Sequence, residues 1–214
     1  MDLIITRPTN DSNQPRSRVR MVNRHGTSLE TRPLLCQLCG QHVWADPVAM
    51  PFRDGQFDSV TCLDLLAFVH DDQETIFELA RIVKPGGKLI VRVPNESPTA
   101  GFDAFNLCRY LADSTHVGSR PPETDELGWR RHFRKREIAA MLESAGLRVV
   151  ESRTTGTGLP ELFQLSAMIG FRWLQRSEKR YQKAHIIIDR AREIDYRIRT
   201  PGFGFSQTIF AVRD

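Results

Sequence analysis

Ala45-Asp46-Pro47-Val48-Ala49-Met50-Pro51-Phe52-Arg53-Asp54-Gly55-Gln56-Phe57-Asp58-Ser59-Val60 reads as the end of one strand, a turn-rich link and the start of another strand. The first of these strands is short, His42 to Asp46. Pro47 to Phe52 leads into Asp54-Gly55, a pair that tolerates positive φ, and Phe57 to Leu63 has the composition of a buried strand. Next, Asp71 stands three residues before Glu74, a capping-box spacing, ahead of Ile76, Leu79, Ala80 and Val83 at i, i+3, i+4 and i+7. Lys84-Pro85-Gly86-Gly87 stops that helix, because proline disfavours helical geometry in the residue before it and the glycines permit a tight reversal. Lys88 to Val93 then suits a central strand. Strand, helix, strand is the unit of a parallel sheet covered by crossover helices.

Outward from this unit the pattern repeats once. Ile138, Met141, Leu142 and Ala145 share a helical face, Gly146 stands at the stop, and Leu147 to Glu151 reads as a strand. The last strand candidate is Gln207 to Val212. Between these two strands an insertion, 154–204, carries two apolar-faced helices, Glu161 to Gln175 and Glu178 to Arg199. Residues 1–33 mix Pro, Asn, Ser and Arg without apolar periodicity and read as an irregular arm, so the expected organisation is that arm followed by one α/β domain over 34–214.

Composition agrees with one ordinary globular domain: 214 residues, 40% hydrophobic and 26% charged, exclude collagenous, low-complexity and disordered classes. A chain of this length buries roughly 70% of its unfolded surface without disulfide staples. No apolar run approaches the about 20 residues of a membrane span, and Met1 to Arg7 lacks a basic region before its apolar residues; a cytoplasmic protein is expected. The net charge of +4 comes from the leading segment, whose first 35 residues hold six arginines against Asp2, Asp11 and Glu30. The rest is balanced, so nucleic acid is not an expected partner.

The tract Ala45 to Val60 and its companion Phe77-Glu78-Leu79-Ala80-Arg81-Ile82-Val83-Lys84-Pro85-Gly86-Gly87-Lys88-Leu89 resemble class I S-adenosylmethionine-dependent methyltransferases of the small-molecule, type 11 branch. The resemblance implies a Rossmann-like α/β sheet with the cofactor across the carboxyl ends of its strands, where open parallel sheets bind ligands. It implies that Asp46 accepts from the adenine amino group, that Pro47 and Val48 pack near the ring, and that Leu63 and Asp64 line the methionine side and the mouth of the acceptor pocket. Transfer to a small-molecule, lipid or glycan acceptor is the implied activity, with S-adenosylmethionine as cofactor. No universal catalytic residue belongs to such an in-line displacement, which depends on alignment and, for some acceptors, on a base.

The family's first strand, glycine-rich turn and ribose-binding acidic residue should precede Asp46. Only Leu34-Leu35-Cys36-Gln37-Leu38-Cys39-Gly40 faintly echoes them. The expected fold is therefore a methyltransferase sheet that is N-terminally truncated or incomplete, with a two-helix insertion before the last strand. Three readings stay open: a misplaced start, a partner chain that completes the site, or a non-catalytic pseudo-methyltransferase acting as an interaction or scaffold protein.

Other features carry weaker signals. Cys36, Cys39 and His42 have the look of one zinc knuckle, but its paired knuckle is absent and Cys62 and Cys108 are isolated; free thiols and no metal are expected. Arg130-Arg131-His132-Phe133-Arg134-Lys135-Arg136 places five formal positive charges before a helix, which is either acceptor contact by Arg131 and His132 or a solvated helix start with Phe133 in the core. His70 reads as a base near a pocket or as a surface histidine. Residues 95–133 and the insertion would roof the acceptor pocket. The insertion's apolar helices could form a lid, an interface for a second copy or a partner protein, or a hairpin zipped through Tyr181, Ala184, Ile187, Ile188, Ala191, Ile194 and Ile198.

Overall fold

The computed structural model describes residues 2–6, 34–38, 41–98, 101, 103–115, 129–174, 177–200 and 202–214. Its strands are β1 (Asp2–Thr6), β2 (Leu34–Leu38), β3 (Gln41–Ala45), β4 (Phe57–Leu63), β5 (Val83–Pro94), β6 (Leu147–Thr155) and β7 (Ser206–Arg213). Its α-helices are α1 (Asp72–Ile82), α2 (Ala104–Thr115), α3 (Lys135–Ser144), α4 (Leu159–Ala167) and α5 (Glu178–Asp195), with a π-helical stretch at Met168–Leu174. Five strands form a sheet in the order β1-β4-β5-β7-β6, and β2 and β3 form a separate pair. The α/β expectation holds.

At the centre, β4 and β5 run parallel, with Val60 opposite Leu89, Cys62 opposite Val91 and Leu63 opposite Arg92. Period-2 burial explains why these residues make strands: Leu89, Val91 and Val93 alternate into the core, against Val60 and Cys62. Helix α1 crosses between them and buries Ile76, Leu79, Ala80 on the face read from the sequence. The parallel pair is the crossover unit that the glycine reversal and the Phe57 to Leu63 run predict.

Three expectations need correction. The strand before Asp46 stands outside the five-stranded sheet and pairs antiparallel with β2, Leu34 opposite Ala45 and Leu38 opposite Gln41. Only Cys39 and Gly40 separate the two strands, too few for the crossover a parallel pairing requires. Asp2–Thr6, expected within an irregular arm, is an edge strand antiparallel to β4, with Asp2 opposite Leu63 and Thr6 opposite Ser59; its short apolar run lacks the alternation that would have marked it. Residues 7–33 of that arm lie outside the described residues. The capping box at Asp71 is not formed: its side chain makes no cap bond, and instead its carbonyl accepts from the Thr75 N–H at 3.0 Å and the Thr75 hydroxyl at 2.8 Å.

Two compact units divide the chain, 1–93 with 133–152 and 208–214, and 94–132 with 153–207. The first has the sheet core just described, joined by Phe133, Ile138, Leu142 and Leu147. Phe133 is fully buried, as the core reading of the basic tract requires. In the second unit Ala104, Cys108, Ala167, Met168, Tyr181 and Ile188 make a smaller core, and Gln164 donates to the Tyr181 hydroxyl at 2.8 Å. The insertion helices form as read, but only one stripe of α5 is covered: Ile187 is 70% exposed and Ile194 63%. Helix α2 lies within the stretch 95–133, to which the sequence reading assigns no helix. Among the described residues no helix is long and apolar enough to cross a membrane.

Candidate functional site

Asp46 follows β3 directly and opens a turn over Pro47, Val48 and Ala49. One carboxylate oxygen, Oδ1, accepts the Val48 N–H at 3.1 Å, and the Asp46 carbonyl accepts the Ala49 N–H at 3.2 Å. This is the Asx turn that aspartate forms readily. Among the described residues nothing else hydrogen-bonds the Asp46 carboxylate, so its second oxygen can accept from a ligand donor. Val48 beside it is 38% exposed and presents an apolar surface. An anchored acceptor next to an open apolar side chain suits the amino edge and face of an adenine.

The segment after this turn is locked by helix α1. Arg81 donates from Nε to Glu78 Oε1 (2.8 Å), from Nη2 to Glu78 Oε2 (2.8 Å) and the Met50 carbonyl (3.0 Å), and from Nη1 to the Phe52 carbonyl (2.8 Å) and Asp54 Oδ1 (2.6 Å). Glu78 Oε2 also accepts the Met50 N–H at 2.9 Å, and the Arg81 carbonyl accepts the Gly55 N–H at 2.8 Å. The Glu-x-x-Arg spacing puts both groups on one helical face, so a planar guanidinium can staple the link between β3 and β4. That is a physical reason for the two sequence tracts to occur together. Hydrogen bonding from Arg81 holds the Glu78 carboxyl below the usual carboxylate range, against a smaller opposing effect of burial.

At the carboxyl end of β4, Leu63 gives way to Asp64 with φ 59°, the left-handed region that aspartate tolerates better than most residues. The Asp64 N–H donates to the Arg92 carbonyl (2.8 Å), and its Oδ2 accepts from Arg92 Nη2 (2.5 Å) and Nε (3.2 Å). The strand end is thereby shaped by one guanidinium donating twice to a single carboxylate oxygen across the parallel ladder. Just before it, Cys62 is fully buried, and burial, with Asp64 nearby, pushes its thiol up to about 12; burial pushes Cys108 to about 12 as well. Both are free thiols. At pH 8 only about one such group in ten thousand is thiolate, so Cys62 and Cys108 should stay unlabelled by iodoacetamide in the native protein and label fully in urea. Peptide mapping by mass spectrometry checks this; rapid native labelling of either would contradict the burial. Cys39, of the Cys36, Cys39 and His42 set, lies outside the described residues.

The remaining predicted residues separate. His70 is exposed, in line with the surface reading, and Arg131 is exposed as well. His132 instead sits in a polar cluster of the second unit. Its Nε2 lies 3.2 Å from Asp103 Oδ2, at ion-pair distance though bent away from hydrogen-bond geometry, and Arg130 Nη1 lies 3.5 Å from the same oxygen. Asp103 is 1% exposed, and its Oδ1 accepts from the Phe105 N–H (3.0 Å) and Asn106 N–H (3.3 Å), which caps α2. Asn106 pins the neighbouring loop by exchanging bonds with the Arg130 carbonyl (2.7 Å) and N–H (2.8 Å). The Phe205 ring closes the cluster, edge-to-face with His132 at 6.2 Å and 5.2 Å beneath the Arg130 guanidinium. Burial alone would raise the Asp103 carboxyl, but His132 and Arg130 outweigh it and hold the group below the ordinary carboxylate value. Asp103 is absent from the sequence reading, and Arg130 enters it only as part of the basic tract. Asp103 followed by Ala104, Cys108 and Leu111 is a cap before a helical face, the signal that could have revealed both α2 and this carboxylate.

Comparison with known proteins adds to this geometry. The family described as "Methyltransferase domain" matches residues 19–91. The ubiquinone biosynthesis O-methyltransferase of Marinobacter nauticus is 34% identical over 101 residues, 47% of this chain and 40% of that protein. The enzyme of the same name from Xanthomonas euvesicatoria is 28% identical over 134 residues, 58% of this chain and 53% of that one. The chain thus spans about half the length of these curated relatives. Among solved structures, a geranyl diphosphate methyltransferase in complex with SAM aligns over 82% of this chain and 60% of its own, at 14% identity and a TM-score of 0.45. The matched region contains the Asp46 turn, the Arg81 staple and most of the parallel β4–β5 pair, and over it the chain is similar to S-adenosylmethionine-dependent methyltransferases.

Proposed function

We propose that this chain transfers a methyl group from S-adenosylmethionine to a hydroxyl of a small-molecule or lipid acceptor. The observation that carries the reading is the Asp46 turn, with its open carboxylate oxygen and exposed Val48, followed at Met50 and Phe52 by a link stapled to α1 by Arg81, all within the two tracts that bear the family resemblance. The names of the curated relatives support oxygen as the methylated atom. When bound, the cofactor supplies a methyl group activated on a sulfonium. This chain's part is to bind and orient: Asp46 would accept from the adenine amino group with Pro47 and Val48 against the ring, while Leu63 and Asp64 end β4 at the edge where open parallel sheets bind ligands.

Isothermal titration with S-adenosylmethionine and S-adenosylhomocysteine tests the reading. Wild-type protein should bind both, and Asp46→Ala should bind at least about tenfold more weakly, the worth of one lost hydrogen bond to a ligand plus a loosened turn. Its melting temperature should fall little, since Asp46 is only half-buried. Wild-type protein that takes up neither ligand at millimolar concentration would refute the proposal.

A further inference from the structure

We infer that the outer face of α5 is a docking surface for an anionic lipid bilayer. The surface lies within the second unit, and its assignment does not rest on the proposed transfer reaction. Helix α5 divides its residues sharply. Tyr181 and Ile188 are buried in the smaller core, and Arg192, on the same side, is neutralised inside the unit by Glu161 at 2.9 Å and Asp189 at 2.6 Å. On the other side Lys183, Ile187, Arg190 and Ile194 stand at i, i+4, i+7 and i+11, one stripe of a helix. All four are exposed, Ile187 by 70% and Ile194 by 63%, with Ile186, 56% exposed, alongside. Single exposed apolar residues are ordinary; three on the outer side of one helix mark a contact surface.

Charge selects the occupant. Among the described side chains of α5 that are exposed, Lys179, Arg180, Lys183 and Arg190 are cations and Glu193 alone is an anion. Positive charge interleaved with isoleucine suits a surface that is apolar beneath and anionic above. The isoleucines reach the acyl boundary, while the long stems of Lys183 and Arg190 lie along it and carry their charges up to the phosphates. A second copy of this chain fits less well, since a two-fold contact brings the patch against itself and sets cation against cation. An acidic partner helix matches the charge but not the length. The stripe from Lys183 to Ile194 is shorter than two heptads, against the about three or four that sustain a helix seam, whereas a bilayer gains from each residue inserted.

Sedimentation of the full chain with lipid vesicles tests the assignment. The protein should pellet with vesicles of phosphatidylcholine and phosphatidylglycerol in equal parts and stay largely in the supernatant with phosphatidylcholine alone. Two paired substitutions separate α5 from every other basic segment, the arginine-rich first 35 residues included. Ile187→Ser with Ile194→Ser, and Lys183→Glu with Arg190→Glu, should each weaken partition into the anionic vesicles about tenfold or more. Because all four side chains are exposed, both variants should keep the wild-type circular dichroism and melting temperature. Wild-type protein that stays in solution with anionic vesicles overturns the assignment and leaves the acidic partner helix as the occupant. Pelleting that neither pair of substitutions weakens overturns it as well, by placing the lipid contact elsewhere on the chain. A dimer in light scattering that Ile187→Ser with Ile194→Ser dissociates, with vesicle binding unchanged, overturns it in favour of a second copy.

Discussion

Gly87→Ala destabilises the sheet-bearing unit by about 3–4 kcal/mol, while Gly86→Ala one residue earlier costs about 1 kcal/mol. The difference lies in what an added methyl group meets. At Gly87 a Cβ would stand 2.8 Å from the Lys84 carbonyl oxygen, 2.8 Å from Val83 Cγ1 and 3.0 Å from the Asp58 carbonyl oxygen. Two of the three are main-chain atoms, one in the reversal after α1 and one in β4, so relief requires the parallel strands themselves to part. Lys84 further fixes the reversal by pairing with Asp58 at 2.7 Å. At Gly86 nothing lies within 4 Å, and the cost comes only from its φ of +75°. Urea unfolding monitored by circular dichroism measures both; a Gly87→Ala loss under about 1 kcal/mol, or a reversed order of the two variants, would contradict the packing.

Arg81→Ala should cost about 3 kcal/mol, the second largest effect. It removes five donor contacts at once and strands the Met50 and Phe52 carbonyls that the guanidinium serves, together with Glu78, whose side chain is 18% exposed. Arg81→Lys should recover less than half, because a point charge cannot reproduce a fork that serves Glu78 on one side and the 50–54 link on the other. The difference between wild type and Arg81→Ala also depends on pH. Glu78 has a lower proton affinity folded than unfolded, so its contribution is complete above the unfolded carboxylate value and is lost as pH falls through the folded one. Stability curves should therefore converge in acid. A constant gap from pH 7 down to pH 3 would show that Glu78 and Arg81 are not coupled. Because the same link leads back to the Asp46 turn, the variant should also bind S-adenosylhomocysteine more weakly.

How far the sequence discloses this fold follows from the range of the interactions involved. Phe57 to Leu63, Ile76 to Ala80 and Lys88 to Val93 were legible because local periodicity and the Pro85-Gly86-Gly87 punctuation agree with the tertiary outcome, although Val83, read on the helical face, begins β5. The partner of β3 was not, since five residues of either strand suit several neighbours and only the two-residue connection to β2 chooses among them. β1 was hidden for a related reason: an edge strand so short owes its existence to the ladder it joins, Asp2 opposite Leu63, and not to its own composition. On α5 the isoleucines at 187 and 194 fit a helical face but exceed what the second core can cover, so periodicity alone overestimates burial.

The candidate site divides in the same way. Asp46, Leu63 and Asp64 were named from the resemblance; the structure adds the Arg81 staple on the Met50–Phe52 link after the Asp46 turn and the Arg92 pair on Asp64. Charge patterning singled out Arg131 and His132 together, yet Arg131 is exposed and His132 joins a buried carboxylate more than twenty residues earlier in the chain. Sequence distance conceals such pairs; Asp103 shows only as a helix cap, and its pairing with Arg130 and His132 emerges only in the folded chain.

A crystal structure of this chain grown with S-adenosylhomocysteine tests the central claim most directly. The account predicts an adenine amino group within hydrogen-bond distance of the Asp46 carboxylate oxygen that does not serve Val48, with the ring against Val48 and the thioether side toward the end of β4. Nucleoside density elsewhere on the chain, with the Asp46 turn untouched, would contradict it.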